Sequence, residues 1–206
     1  MSTTRLLLLG AVRIFQPVHG YLLRRELLSW QVDDWAHVKP GSIYSGLRTL
    51  TAHALLEEVP GDPVSYRLTP DGEVEYQRLL RMALRQPEPG EPSRLMAGLC
   101  FMSTLSRAEV RESLRARDLV LEAMVSASES GRRSVESSRL APATTAELFA
   151  VTAHWLAGER AWVADICARI DAGHYRFDGE EPGPDHPMDG IWPPAVLTSG
   201  APLDPP

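Results

Sequence analysis

Lysine is almost missing from this chain of 206 residues: Lys39 is its single copy, and the rest of the 21 basic residues are arginine. Nor is there a basic excess, since 27 acidic residues give a net charge of −6. The broad positive footprint common among nucleic-acid binders is therefore lacking, and any such contact must rest on local placement of charge. The charge is also uneven. Residues 1–86 hold ten Lys/Arg against nine Asp/Glu, and the remainder hold eleven against eighteen. Cysteine is scarce, with Cys100 and Cys167 isolated and no CxxC spacing, so both read as buried small hydrophobes and not as a redox pair. Long apolar runs are absent as well. The longest, LLLLGAV, is too short to cross a bilayer, and the N-terminus lacks a charged region followed by a cleavage site, so a cytoplasmic protein with no membrane partner is expected.

Catalytic signatures are missing too. His19, His37, His53, His154, His174 and His186 are scattered without ligand spacing, and no GxSxG, HExxH or P-loop pattern occurs. The adjacent acids Asp33-Asp34 and Glu57-Glu58 suit turn or hairpin surface. No enzyme, metal or cofactor is expected.

What the chain does hold is clear punctuation. QPEPGEPS at 86–93 interrupts two helical patterns with proline and acid, which places a domain boundary there. The expected division is a first domain over 1–86, a linker over 87–93, a helical domain over 94–176 and a Pro/Gly-rich tail over 177–206. That tail is too rich in Pro and Gly for regular structure, although Ile191, Trp192 and Val196 could dock locally.

Before the linker, TRLLLLGAVRIF suits a largely buried helix, and HGYLLRRELLSW begins another with Leu23, Leu27 and Trp30 on one stripe. A third helix follows in VKPGSIYSGLRTL. LLEEV and VSYRL then flank PGDP as a two-stranded hairpin, with Val64, Tyr66 and Leu68 alternating inward. Thr69-Pro70 supplies an N-cap and a first-turn proline for a helix running to about Arg85. Beyond the linker, SRLMAGLCFM is a short apolar helix, and the capping box SRAE at 106–109 opens a longer one carrying Val110, Leu114, Leu121 and Val125. TTAE at 144–147 has the same form. The last helix sets Leu148, Val151, Trp155, Trp162, Ile166 and Ile170 three, four or seven residues apart, the seam of a helix that packs along another.

The third helix carries the functional signal. At about 100° per residue, Ile43, Leu47, Leu50 and Ala54 share one sector and should anchor it, which turns Ser42, Tyr44, Ser45, Arg48 and Thr49 outward. That outer face has hydroxyls, a guanidinium and a flat aromatic, and no long acid. It fits a DNA major groove, although a polar surface helix would read the same way. Pro40 costs no backbone bond in the first turn, Gly41 permits close approach, and Lys39 stands beside free N–H groups that favour a phosphate. A helix, helix, helix, hairpin, helix order is that of a winged helix-turn-helix, which presents its third helix to the groove.

LLLLGAV, HGYLLRREL, VKPGSIYSGLRTL and SYRLTPDGE together resemble, in order and spacing, the PadR-like winged-helix transcriptional regulators. The rear half is similar, at the level of pattern, to the longer subgroup with a C-terminal helical dimerisation domain. The resemblance implies a mainly α fold: an N-terminal winged helix-turn-helix with a two-stranded wing, plus that helical domain. It implies double-stranded DNA as a partner, touched by Lys39, Ser42, Tyr44, Ser45, Arg48 and Thr49, with Tyr21 and His19 setting the helix pair or reaching a phosphate. A buried aromatic and an interhelix hydrogen bond are the alternative for those two. Ser45, Thr49 and Ala54 depart from the family's usual proline, basic residue and glycine. The wing departs most. Glu57, Glu58 and Asp62 crowd its tip, leaving Arg67 alone to make a backbone contact, so the helix should supply more of the affinity.

A single domain of this kind neutralises few phosphates, so two copies are expected to read two half-sites. The seam Leu148, Val151, Trp155, Trp162, Ile166 and Ile170 is the surface for a homodimer. Its tryptophans are either interface core or the lining of a pocket for a small aromatic effector, as in some family members. A homodimeric repressor is the implied function. The competing class is a winged-helix module that binds protein without specific DNA binding.

Overall fold

Four consecutive leucines, Leu6 to Leu9, point in every direction around a helix, so a helix containing them is stable only where it is covered on all sides. Helix α1 (Thr3–Phe15) meets that demand: Leu6, Leu7, Leu8, Leu9, Ala11 and Val12 are buried, with α2, α4, α5 and α6 packed around it. The structure, a computed structural model, describes residues 3–138 and 141–181.

After α1 come β1 (Val18–His19), α2 (Gly20–Ser29), the single turn α3 (Val32–Trp35) and α4 (Pro40–Ala52). Strands β2 (Leu56–Val59) and β3 (Ser65–Leu68) form the hairpin, and α5 (Pro70–Arg85) follows. The Thr69 hydroxyl accepts from the Gly72 amide at 3.0 Å, which is the expected cap of α5. Helix α6 (Ser93–Phe101) runs through a short 3₁₀ turn into α7 (Arg107–Ser138), and α8 (Thr145–Asp171) returns along α7. At the start of α7 the capping box closes: the Ser106 amide donates to Glu109 Oε2 at 3.0 Å, and the Glu109 amide donates to Ser106 Oγ at 3.3 Å.

The architecture is mainly helical with a winged helix at the front, as expected, and several details differ. The wing sheet has three strands in the order β1-β3-β2, because Val18 pairs with Tyr66 and His19 with Ser65. Two residues are too few to display alternation, so nothing local marks β1. Val64 is exposed, since the ladder starts only at Ser65 opposite Val59. Ala54 does not anchor α4. It lies past the helix end, exposed, at φ +56° in the left-handed region that glycine adopts without cost.

TTAE forms no capping box either. Thr144 already has helical angles, and the amides of Thr145 and Ala146 bond to the carbonyls of Pro142 and Ala143, so no free donor awaits a cap. Of the expected tail, residues 177–181 are packed: Phe177 is buried, and Glu180 holds Arg107 at 2.7 Å. Ile191, Trp192 and Val196 lie outside the described residues.

One apolar cluster runs through the described residues from Leu6 to Phe177, so the helices on either side of residues 87–93 share a core. Arg117 on α7 ties the two parts. It is 3% exposed, and it donates to the carbonyls of Ala83, Leu84 and Gln86 at the end of α5 and to Glu159 of α8 at 2.6 Å. Burial pushes its pKa down and the Glu159 carboxylate pushes it up. These bonds occupy carbonyls that the helix end leaves open.

Candidate nucleic-acid interface

Helix α4 owes its position to its inner edge. Ile43, Leu47 and Leu50 are buried, and Gly46 sits so close to α1 that a Cβ there would fall 2.4 Å from Leu8 Cδ1. Pro40 occupies the first turn behind Lys39. The opposite face is open: Lys39, Tyr44, Ser45, Arg48 and Thr49 are exposed and Ser42 is half-buried. Neither Lys39 nor Arg48 has an ion-pair partner among the described residues. Among the described residues, no atom lies within 4 Å of where a Cβ on Gly41 would stand, so nothing there obstructs the entry to the helix.

Tyr44 is 41% exposed because one flank of its ring lies on α2, where a Cβ on Gly20 would be 3.0 Å from Cε1. The glycine of His-Gly-Tyr is thus the seat of the tyrosine of α4. The hydroxyls turn back onto their own helix. Ser42 donates to the Lys39 carbonyl at 2.6 Å, Ser45 to Ser42 at 3.1 Å and Thr49 to Ser45 at 2.9 Å.

Beside this face, His19 is the N-cap of α2, accepting the Leu22 amide on Nδ1 at 3.3 Å. Its bond is therefore to its own helix and does not join two helices. Tyr21 is 57% exposed and its ring stacks on that of His19, with centroids 6.3 Å apart. Tyr21 is not a buried aromatic. Both residues adjoin the Tyr44 seat at Gly20.

The wing offers less. Arg67 is on the outward side of β3 as expected, but Glu57 stands opposite it in the ladder and takes its guanidinium at 2.8 Å. Glu58 and Asp62 remain exposed. Sequence reasoning did not single out the groove of about 370 Å³ between α1 and α4, where Thr4 and Arg5 of α1 meet Ser42, Ser45, Thr49 and His53 of α4 and its C-cap. The polar start of an otherwise apolar helix, Thr3-Thr4-Arg5, was its only signal.

The rear seam divides. Leu148, Val151 and Trp155 are exposed, Trp155 by 70%, and form an apolar face on the first half of α8. Ile166 and Ile170 are instead buried within the chain's own core, and Trp162 is half-buried. Ile166 and Ile170 thus offer little surface within the described residues, and the exposed part of the seam is its first half. The cause is tertiary: at that end Arg107 grips the carbonyls of Ile170 and Tyr175, folding residues 175–181 over the helix. Trp155 and Trp162 line a pocket of about 230 Å³ with Leu95, Leu156, Pro89 and Pro92, and Arg117 and Glu159 reach its wall. Among the described residues, no group of His, Cys, Asp and Glu is placed to hold a metal, and no helix is long and apolar enough to cross a membrane.

No family model and no curated protein matches the sequence. Among solved structures, Bacillus subtilis PadR in complex with p-coumaric acid is 22% identical, with a TM-score of 0.37 over 82% of this chain and 99% of that one. The same protein in complex with operator DNA is 22% identical at a TM-score of 0.35, over 81% and 98%. A PadR-like transcriptional regulator from Bacillus cereus is 16% identical at 0.34, over 82% and 99%. This chain is thus similar along most of its described length to solved PadR and PadR-like regulators.

Proposed function

We propose that this protein is a sequence-specific DNA-binding transcriptional regulator, a homodimeric repressor of PadR type that acts by occupying promoter DNA. One observation carries the reading: α4 buries Ile43, Leu47 and Leu50 while Tyr44 and Arg48 stand exposed on a face without a carboxylate. A helix held by one edge, with donors on the other and a proline-led N-terminus, is what a major groove accepts. Lys39, Tyr21 and His19 flank that face and supply positioning contacts to phosphate and sugar. Leu148, Val151 and Trp155 supply the two-fold surface, since an exposed apolar patch marks an interaction site and a two-fold interface uses the same patch on both copies. The pocket beside Trp155 and Trp162 suits a small planar aromatic effector.

The test is retardation of the duplex upstream of the coding region across a salt series. Specific binding that weakens steeply with salt supports the reading. The second reading, a winged-helix module for protein partners, is favoured by the acidic wing with its neutralised Arg67. That reading predicts no preference for the upstream duplex over an unrelated one.

A further inference from the structure

We infer, resting on the DNA-binding reading, that Arg48 is the base-reading residue of α4 and that it selects one guanine in each half-site. Few groups on that face are free to donate. Ser42, Ser45 and Thr49 spend their hydroxyl hydrogens on the carbonyls of Lys39, Ser42 and Ser45. What they turn outward is oxygen lone pairs. Tyr44 is held along one flank by the Gly20 seat, and its single hydroxyl cannot match two acceptors at once. Lys39 stands at the helix N-cap, beside the free N–H groups that favour a phosphate.

Arg48 is the one guanidinium on the described outer face of α4, where Tyr44 offers a single hydroxyl. It sits one turn past Tyr44, exposed, with no ion-pair partner among the described residues. Its planar fork matches two acceptors in one plane, and in the major groove only guanine presents such a pair, N7 with O6. Adenine offers one acceptor beside a donor, cytosine offers a donor, and thymine offers one acceptor beside a methyl group. The back-bonded hydroxyls complete the pattern. As acceptors, Ser45 and Thr49 pair with the exocyclic amino group of cytosine or adenine next to that guanine.

The experiment is selection of duplexes from a random pool by wild-type protein, Arg48→Gln and Lys39→Ala, followed by titration of the selected site. The wild type should select a single dominant guanine per half-site. Replacing that guanine with 7-deazaguanine, which removes the N7 acceptor, should weaken binding roughly tenfold or more. Arg48→Gln should move the preference at that position from guanine to adenine, because a carboxamide pairs with one acceptor and one donor. Lys39→Ala should weaken all sequences alike. If Arg48→Gln lowers affinity equally for every sequence and changes no base preference, Arg48 holds a phosphate and the inference is overturned. A wild-type protein that retards no duplex at all overturns the DNA-binding reading itself, and this inference with it.

Discussion

A Cβ added to Gly20 would stand 3.0 Å from Cε1 and 3.3 Å from Cδ1 of Tyr44, so the ring of α4 is seated on the first residue of α2. The contact sets where Tyr44 points. Gly20→Ala would displace the ring with little other disturbance, because alanine is a better helix former than glycine. We predict a loss of DNA affinity equivalent to about 1 kcal/mol with an almost unchanged urea midpoint. Anisotropy titration of a labelled operator and urea denaturation would read the two effects separately.

Ala54 occupies the left-handed region at φ +56°, where a Cβ is strained. Ala54→Gly should therefore raise stability by about 1 kcal/mol, since it relieves the strain at the end of α4. Urea unfolding measures it. An unchanged or lower midpoint would show that residue 54 is not strained.

The pair of Glu57 and Arg67 neutralises the wing's cation. Arg67→Ala should leave operator affinity nearly unchanged, while Arg48→Ala weakens it strongly. Glu57→Gln should free Arg67 for a phosphate and steepen the dependence of log affinity on log salt by roughly 0.9. Because the pair is exposed, neither wing variant should alter stability by more than about 1 kcal/mol.

Two glutamates give opposite pH dependences. Arg81 and then the Ser106 hydroxyl and amide hold Glu109 down at about 2, against an ordinary 4.5. Its stabilisation is present above pH 4.5 and is lost as pH falls towards 2. Glu109→Gln should thus cost roughly 1 kcal/mol at pH 7, a figure kept small by solvent screening, and less at pH 3. Glu26 is buried, and desolvation raises its pKa despite Arg25; its Oε2 has no partner among the described residues. Its penalty is absent below pH 4.5 and grows as pH rises through the folded-state value. Glu26→Gln should therefore stabilise the fold at pH 7 by roughly 1 kcal/mol, and do nothing at low pH.

The divided seam of α8 predicts two kinds of variant. Trp155→Ala should lower the dimer fraction in sedimentation without unfolding the chain. Ile170→Ala should cost roughly 2–5 kcal/mol of stability, because its side chain is wholly buried. If Ile170→Ala instead yields a stable monomer, the division is wrong.

Much of this architecture was legible because its signals are local. Thr69-Pro70 caps α5 by itself, Ser106 and Glu109 close their own box, and the stripe of Ile43, Leu47 and Leu50 needs only helical geometry. What was not legible depends on distant partners. Val18 becomes a strand only because Tyr66 lies beside it, and Ile170 differs from Leu148 in what packs at its end of α8, where it joins the common core and Arg107 holds the Ile170 and Tyr175 carbonyls. Arg117 did leave a trace. It lies between Leu114 and Leu121 on the buried stripe of α7, where a charge is tolerated only with partners, yet the Ala83, Leu84 and Gln86 carbonyls that satisfy it come from another helix.

The outward face of α4 is the centre of the account, and site-directed photocross-linking tests it most directly. A benzophenone side chain at Ser45, on that face, should capture operator DNA, and one at the exposed Val74 of α5 or Leu119 of α7 should not. Capture from Val74 or Leu119 with none from Ser45 would contradict it.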